Sequence, residues 1–437
     1  MNKNKTLVFL LMILTMGHFA SCRGNHAKGE KETPSKETVV SNKPVKFKFF
    51  LERSGSMIAY DSRQSNGEFK LAISKVLNNV ANGGESNMVY IVNDAVYPFE
   101  KSFKEFLSCA DIFDATKGTG DPSYTDFSCI FDSILCHTKK GEASILVSDL
   151  VYSTADMTQV NPQKIMNEAK STTTTVFKGH SDKDVVVVKM IADYQGKYYP
   201  FNSINKGIQY SGNRPYYFLI VADQQTLRSI FLGERYKDFA NLKALPGFEN
   251  YYCFSRYADT PMYSILLSDK HNRGRFAAEK GQVKEIHNIE NVKPDRDDKT
   301  SITIAVDLSG VITSQEYKNN PKNYVVESTS GFKVSAILPL TADLRTTTIE
   351  KHAPTATHLV VISTTEKVLK ETVTLRLKNT MPKWISETNS NDDTNLNDKN
   401  FSTTTFAFQY LMEGIYEAFF SSTEVPDFVK FDININK

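Results

Sequence analysis

The densest run of side chains able to do chemistry is Glu52-Arg53-Ser54-Gly55-Ser56-Met57, directly after the apolar stretch Phe49-Phe50-Leu51. Ligands of open α/β sheets bind beyond the carboxyl ends of strands, so a carboxylate and two hydroxyls placed there face the side where binding is expected. All three donors are oxygens. Hard cations such as Mg²⁺ take oxygen ligands at about 2.1 Å, keep several waters and are held by few carboxylates, so the chemistry on offer is cation binding. Other chemistries find no support. The 8 histidines show no HExxH or paired spacing for zinc catalysis, and the chain has no GxSxG elbow and no GxxxxGK[ST] phosphate loop. No general base or nucleophile is evident beside Ser54 and Ser56, so an enzyme is not expected.

The elements needed to position this run are legible around it. Apolar runs of strand length at 46–52, 87–93, 144–149, 184–193 and 216–223 alternate with longer amphipathic stretches. That pattern predicts a mostly parallel sheet covered by helices, an α/β domain over residues 46–232. Residues 145–147 and 185–188 are continuously apolar, as in strands buried on both faces. Phe69, Ile73, Val76, Leu77 and Val80 recur at a helical period, and helices are likewise expected over 103–113 and 127–135. After residue 232 the rhythm changes. Ile302, Ile304, Val306 and Leu308 alternate with polar residues, as do Val373, Leu375 and Leu377, which predicts half-buried antiparallel strands, a sandwich, over 233–437. Loops are expected at 292–300 and 388–400. Residues 406–420 read as a late amphipathic helix, or as an aromatic strand pair if Gly414 breaks it; the helix is preferred.

The 437 residues suffice for two or three domains, and 40% hydrophobic with 23% charged residues excludes a wholly disordered or collagen-like chain. The apolar run 7–16 follows Lys3 and Lys5 and is too short to cross about 30 Å of hydrocarbon as a helix, so residues 1–21 read as a signal peptide. Removing it takes two lysines and no acid, which leaves the charges balanced and argues against nucleic acid as the ligand. Phe19-Ala20-Ser21-Cys22 resembles the lipobox of bacterial lipoproteins. The resemblance implies cleavage before Cys22, lipidation of that residue, and a protein anchored to a membrane of the bacterial cell envelope on the periplasmic or cell-surface side. Residues 22–45 are polar and nearly free of large apolar groups, a flexible tether. Of the other cysteines, Cys129 and Cys136 fall in one expected helix, roughly 10 Å apart and beyond disulfide reach. Buried free thiols are at least as well supported as a bridge by another pairing.

The run Glu52-x-Ser54-x-Ser56 resembles the metal-ion-dependent adhesion site of the von Willebrand factor type A (VWA) family, written D-x-S-x-S after the first strand. The family's second element, a threonine before a helix, is matched by Thr125 in Thr125-Asp126-Phe127. Its third, an aspartate ending the fourth strand, is matched by Asp149 in Val147-Ser148-Asp149. The resemblance covers residues 46–232 and implies a Rossmann-type VWA-like domain. In it Glu52, Ser54, Ser56, Thr125 and Asp149 hold Mg²⁺, or Mn²⁺ or Ca²⁺, and a protein partner completes the coordination with an acidic residue. The departure is Glu52, one methylene longer than aspartate, which carries its carboxylate roughly 1.5 Å further unless the loop retreats. A longer arm binds directly or fills the site without metal, so the alternative is a structural envelope scaffold with a degenerate, metal-free site, whose hydroxyls merely cap loops and helix starts.

Nearby signals weigh less. Thr119 competes with Thr125 but stands farther from the helix start. Asp61 and Asp126 are candidates for a supporting role, Asp126 rather as a helix-start charge. Asp307-Leu308-Ser309 lacks a second serine. The stretch 393–397 imitates a calcium loop but lacks its glycine and closing glutamate and reads as a solvated turn. The aromatics at 251–254 and 406–420 read as core.

Overall fold

The computed structural model describes residues 43–81, 87–123, 125–153, 160–180, 182–202, 206–256, 258–420 and 426–436. The residues read as a signal peptide, Cys22 and nearly all of the expected tether lie outside them. The described chain enters the fold earlier than the tether's expected end, because Val45 is buried and its N–H donates to the Tyr236 hydroxyl at 2.8 Å.

The first half builds a sheet from β1 (Lys46–Glu52), β2 (Met88–Val92), β3 (Val96–Phe99), β4 (Glu142–Ser148), β5 (Asp184–Tyr198), β6 (Ile208–Ala222) and β7 (Phe248–Phe254). Their order is β3-β2-β1-β4-β6-β5-β7. The protein is α/β, but the sheet is mixed rather than mostly parallel. β1 runs parallel to β2 and β4, while the other neighbouring pairs are antiparallel. The reason is the reach of β5 and β6. Both extend well past the apolar runs that mark them, pairing from Asp184 with Ala222 to Tyr198 with Ile208, so they form one long antiparallel hairpin.

Helices α1 (Glu68–Ala81), α2 (Phe103–Ser108), α3 (Ile112–Ala115), α4 (Phe127–His137) and α5 (Pro162–Lys178) belong to this half. The single helix expected over 103–113 is two. The chain is extended at Cys109 and Asp111, and the Asp111 carboxylate accepts from Phe113 N at 2.9 Å and Asp114 N at 3.0 Å, starting a new helix. One face of the sheet buries Phe47, Phe49, Ile145, Val147, Val186 and Phe218 with Phe69 and Ile73 of α1. The opposite face buries Phe50, Leu146, Val187 and Leu219 with Phe131 of α4 and Phe177 of α5.

The second half contains β8 (Tyr263–Leu266), β9 (Arg275–Ala278), β10 (Asn288–Lys293), β11 (Thr300–Val306), β12 (Tyr324–Glu327), β13 (Lys333–Pro339), β14 (His358–Thr364), β15 (Glu371–Lys378), a short pair β16 (Asn389–Ser390) and β17 (Thr405–Phe406), and β18 (Asp427–Ile435). They make a five-stranded sheet, β12-β15-β18-β10-β9, and a four-stranded sheet, β13-β14-β11-β8. Pairing is antiparallel except between β10 and β18 and between β16 and β17. Ile302, Ile304 and Val306 of β11 share a core with Val373, Leu375 and Leu377 of β15, and the Tyr263 and Phe431 rings meet with centroids 4.5 Å apart. β11 is not half-buried as its alternation implied: all seven residues are buried. Its other side is covered by helix Thr347–His352, where Ala305, Ile349, Ala353 and Leu359 form a satellite core.

The boundary after residue 232 is not a parting line. β7 lies beyond it yet forms an edge of the first sheet, and the late helix Phe408–Phe419 packs on α5. The described residues form one unit. The Tyr217 ring stacks on Phe408 and the Phe201 ring on Phe406, so the end of the chain completes the cover of the first sheet. Gly414 does not break this helix; it lets it approach. A Cβ there collides with the Thr173 hydroxyl and the Lys170 carbonyl of α5. In an exposed helix Gly→Ala stabilises by about 1 kcal/mol. At this contact the sign reverses: Gly414→Ala is expected to destabilise by about 2 kcal/mol, since backbone must move to relieve the clash. A thermal melt checks it, and a higher melting temperature in the variant refutes the contact.

Candidate metal centre

β1 and β4 are parallel neighbours in the register Leu51 to Val147, so their carboxyl ends bring Glu52 beside Ser148 and Asp149. β2 flanks β1 on its other side, and Arg53 N continues that pairing to Val92 O at 2.8 Å before the chain turns. The turn carries Ser54 and Ser56 into the short 3₁₀ helix Met57–Asp61, with Gly55 N held by Pro122 O at 3.0 Å. Pro122 belongs to the loop that delivers Thr125. Asp126 then caps α4, its carboxylate accepting from Cys129 N at 3.0 Å, which fulfils the helix-start role expected of it.

The five residues meet. Thr125 Oγ1 donates to Glu52 Oε1 at 2.6 Å across 73 positions, and the Ser54 and Ser56 hydroxyls are 3.1 Å apart. Ser148 Oγ donates to Glu52 Oε2, a partner not anticipated from the sequence. The Ser56 hydroxyl favours the ionised Asp149 carboxylate, whose Oδ1 accepts from Val151 N at 3.1 Å. Exposure is 1% for Glu52 and 2% for Asp149, so two carboxylates share a site almost without water. Burial and then the neighbouring Asp149 charge push the Glu52 carboxyl up to about 8. Burial raises Asp149 as well, against the Ser56 hydroxyl, the Val151 N–H and the Arg214 guanidinium. Two buried carboxyls placed this way call for a proton or a cation between them.

The hydroxyls suit a cation. Thr125 spends its hydrogen on Glu52, which leaves its oxygen lone pairs for an ion, whereas Ser148 Oγ also accepts from Leu150 N at 2.8 Å and keeps one lone pair. Glu52 thus orients hydroxyls with both oxygens.

Compared with known protein families, characterised proteins and solved structures, the chain matches none.

The site opens into a cleft of about 500 Å³. Its far wall is the β5–β6 hairpin and the residues just after β5, through Gln195, Gly196, Lys197 and Tyr199. Two glycines set how closely this wall leans in. Gly55 faces the Tyr199 ring and Gly196 faces Ala59, each with no room for a Cβ. These wall residues were not singled out in the sequence; the only signal for them is the length of β5 and β6, which depends on their pairing. The competing residues lie elsewhere. Thr119 contributes its carbonyl to the buried Asn93 side chain at 2.9 Å, not a hydroxyl to Glu52. Asp61 accepts from Ile112 N at 3.0 Å and so fixes the start of α3. Asp307 closes a local turn on Ser309 N at 2.9 Å.

The stretch read as a solvated calcium-like turn is partly buried. Asp393 is enclosed and accepts from the Tyr198 hydroxyl at 2.6 Å and from Phe201 N at 3.0 Å, which ties this stretch to the hairpin behind the cleft. All four described cysteines are free thiols, of which Cys253 is buried and Cys136 exposed. Among the described residues no helix is long and apolar enough to cross a membrane.

Proposed function

We propose that this chain is a lipid-anchored protein of the bacterial cell envelope whose VWA-like half grips a protein partner through a divalent cation. Mg²⁺ is the first candidate, with Mn²⁺ or Ca²⁺ as alternatives. Glu52 and Asp149 supply charge; Ser54, Ser56 and Thr125 supply hydroxyl oxygens or orient the ion's waters. The partner contributes an aspartate, a glutamate or another anion. The observation that carries this reading is the convergence of oxygens from three separated chain segments onto one buried point at the carboxyl ends of β1 and β4. Two carboxylates nearly neutralise a divalent ion and leave a position that favours an anionic oxygen over water. Lys197, exposed on the cleft wall, adds positive charge to that approach. The role is binding rather than catalysis.

Calorimetric titration with Mg²⁺ and Mn²⁺ tests the ion: heat is expected from wild type and none from Asp149→Ala. The absence of heat from wild type, or its persistence in the variant, removes the cation from the account. A second reading, the scaffold with a metal-free site, is favoured by one observation: both Glu52 oxygens already accept hydroxyl hydrogens. The two readings part on a pull-down from solubilised envelope. EDTA releases the partner under the first and leaves it bound under the second.

A further inference from the structure

Over its last two turns α4 presents Asp132 and Cys136, four residues apart and therefore on one face. His180 stands two residues beyond the end of α5 and turns its ring onto the same point. The atoms Cys136 Sγ, His180 Nε2 and Asp132 Oδ1 form a triangle with edges of 3.9 Å (sulfur to nitrogen), 3.9 Å (sulfur to oxygen) and 3.4 Å (nitrogen to oxygen). Tetrahedral zinc, with bonds of about 2.3 Å to sulfur and about 2.0 Å to nitrogen and oxygen, sets these edges at ~3.5, ~3.5 and ~3.3 Å. The nitrogen–oxygen edge thus fits within about 0.1 Å, and the two sulfur edges need a thiol movement of a few tenths of an ångström. Such a movement is open to Cys136, whose side chain is exposed. The frame beneath is rigid: Phe131 and Phe177, both buried, bring α4 and α5 together with ring centroids 5.5 Å apart.

We infer that Asp132, Cys136 and His180 form a zinc site on the surface of the protein, separate from the oxygen-only centre at Glu52 and independent of the function proposed for it. The set mixes sulfur, nitrogen and oxygen, which selects a borderline ion such as Zn²⁺ over Mg²⁺ or Ca²⁺. Binding replaces the thiol hydrogen of Cys136, which leaves as a proton to solvent. Thiolate, carboxylate and neutral imidazole then balance the 2+ charge. Three protein ligands leave the fourth position to water or to a donor from another molecule, while the ion pins the end of α4 to the end of α5.

Cobalt reports on this site, because a thiolate ligand gives Co²⁺ a charge-transfer band in the near ultraviolet and an all-oxygen site gives none. The full chain, freed of metal with a chelator, is expected to develop that band with one equivalent of Co²⁺ and to lose it when Zn²⁺ is added. Cys136→Ser and His180→Ala are each expected to abolish the band. Cys109→Ser and Asp149→Ala are expected to keep it, and because Asp149→Ala removes the other centre, the two sites fail or survive separately. All three residues of the proposed site lie at the surface, so folding of the variants is checked by an unchanged circular dichroism spectrum. No band from wild type, or a band that survives Cys136→Ser or His180→Ala, overturns the assignment.

Discussion

Raising the pH from 6.5 to 8 in a chelating buffer is expected to lower the melting temperature of the wild-type protein, and saturating Mg²⁺ to cancel that fall. The cause is the pair of buried carboxyls. Burial and Asp149 raise Glu52 from 4.5 to about 8 in the folded protein, so between those values the native state holds a proton that the unfolded state has lost. Stability therefore falls as pH rises across that interval, the reverse of a salt-bridged acid. The upper window isolates the effect. Asp184 and Asp393, raised by burial to about 6, exert the same pull mainly below it. His358, lowered from 6.5 to about 4, acts with the opposite sign below pH 6.5, and Lys318, lowered from 10.5 to about 8, acts above pH 8. Across the window the loss is on the order of 2 kcal/mol, or about 2 to 3 °C for a chain of this length.

A cation that binds the ionised pair reverses the balance, because it takes the place of the proton and binds more tightly as pH rises. Melting curves at both pH values, with EDTA and with Mg²⁺ or Mn²⁺, read the slope directly. Glu52→Gln, which cannot titrate, should flatten the slope in EDTA and lose the response to metal. Identical slopes with and without cation would sink the metal assignment while leaving the buried carboxyls in place.

The second large effect is expected at Arg214. Its guanidinium is buried in β6 behind the cleft, 4.0 Å from the Phe401 ring centroid and 4.6 Å from that of Tyr198. It donates to the Phe401 carbonyl and, at 3.3 Å, to the Tyr198 hydroxyl, which in turn donates to the buried Asp393. One cation thus reaches the buried Asp393 through Tyr198, its charge lowers the Asp149 carboxyl, and it fastens residues 393–401 to the first sheet. Removing one partner of a buried charge network costs about 3 to 5 kcal/mol, because the remaining charge stays buried without compensation. Arg214→Met fills much of the volume and removes the charge, so a melting temperature lower by about 4 to 6 °C is expected, with new proteolytic cleavage in 391–401. Asp149 also loses the positive charge that opposes its upward shift, so the variant should bind Mg²⁺ more weakly. A loss of less than about 1 kcal/mol would mean that aromatic packing alone holds the segment.

How much of this was legible beforehand follows from the range of the forces involved. The expected first strand coincides with β1, and the helices expected at 69–80 and 127–135 lie within α1 and α4, because alternation, helical period and capping act over a few residues. The length of β5 and β6 was not legible. Residues 194–198 and 208–215 become strand only by pairing with each other, and that pairing turned an expected parallel sheet into a mixed one. Gly414, ambiguous as a local signal, is settled by α5 lying against it.

By itself, the sequence determined that oxygen donors stand at a strand's carboxyl end and that an α/β half precedes a β-rich one, since residue type and period are properties of the chain. Only the tertiary structure decided that Thr125 and Ser148 close on the two oxygens of Glu52, that Arg214 is buried against the Tyr198 and Phe401 rings, and that residues 406–420 cover the first sheet. Those are contacts between residues tens to hundreds of positions apart. Their energies come from burial and from electrostatics in a buried site, and neither exists until the chain has folded.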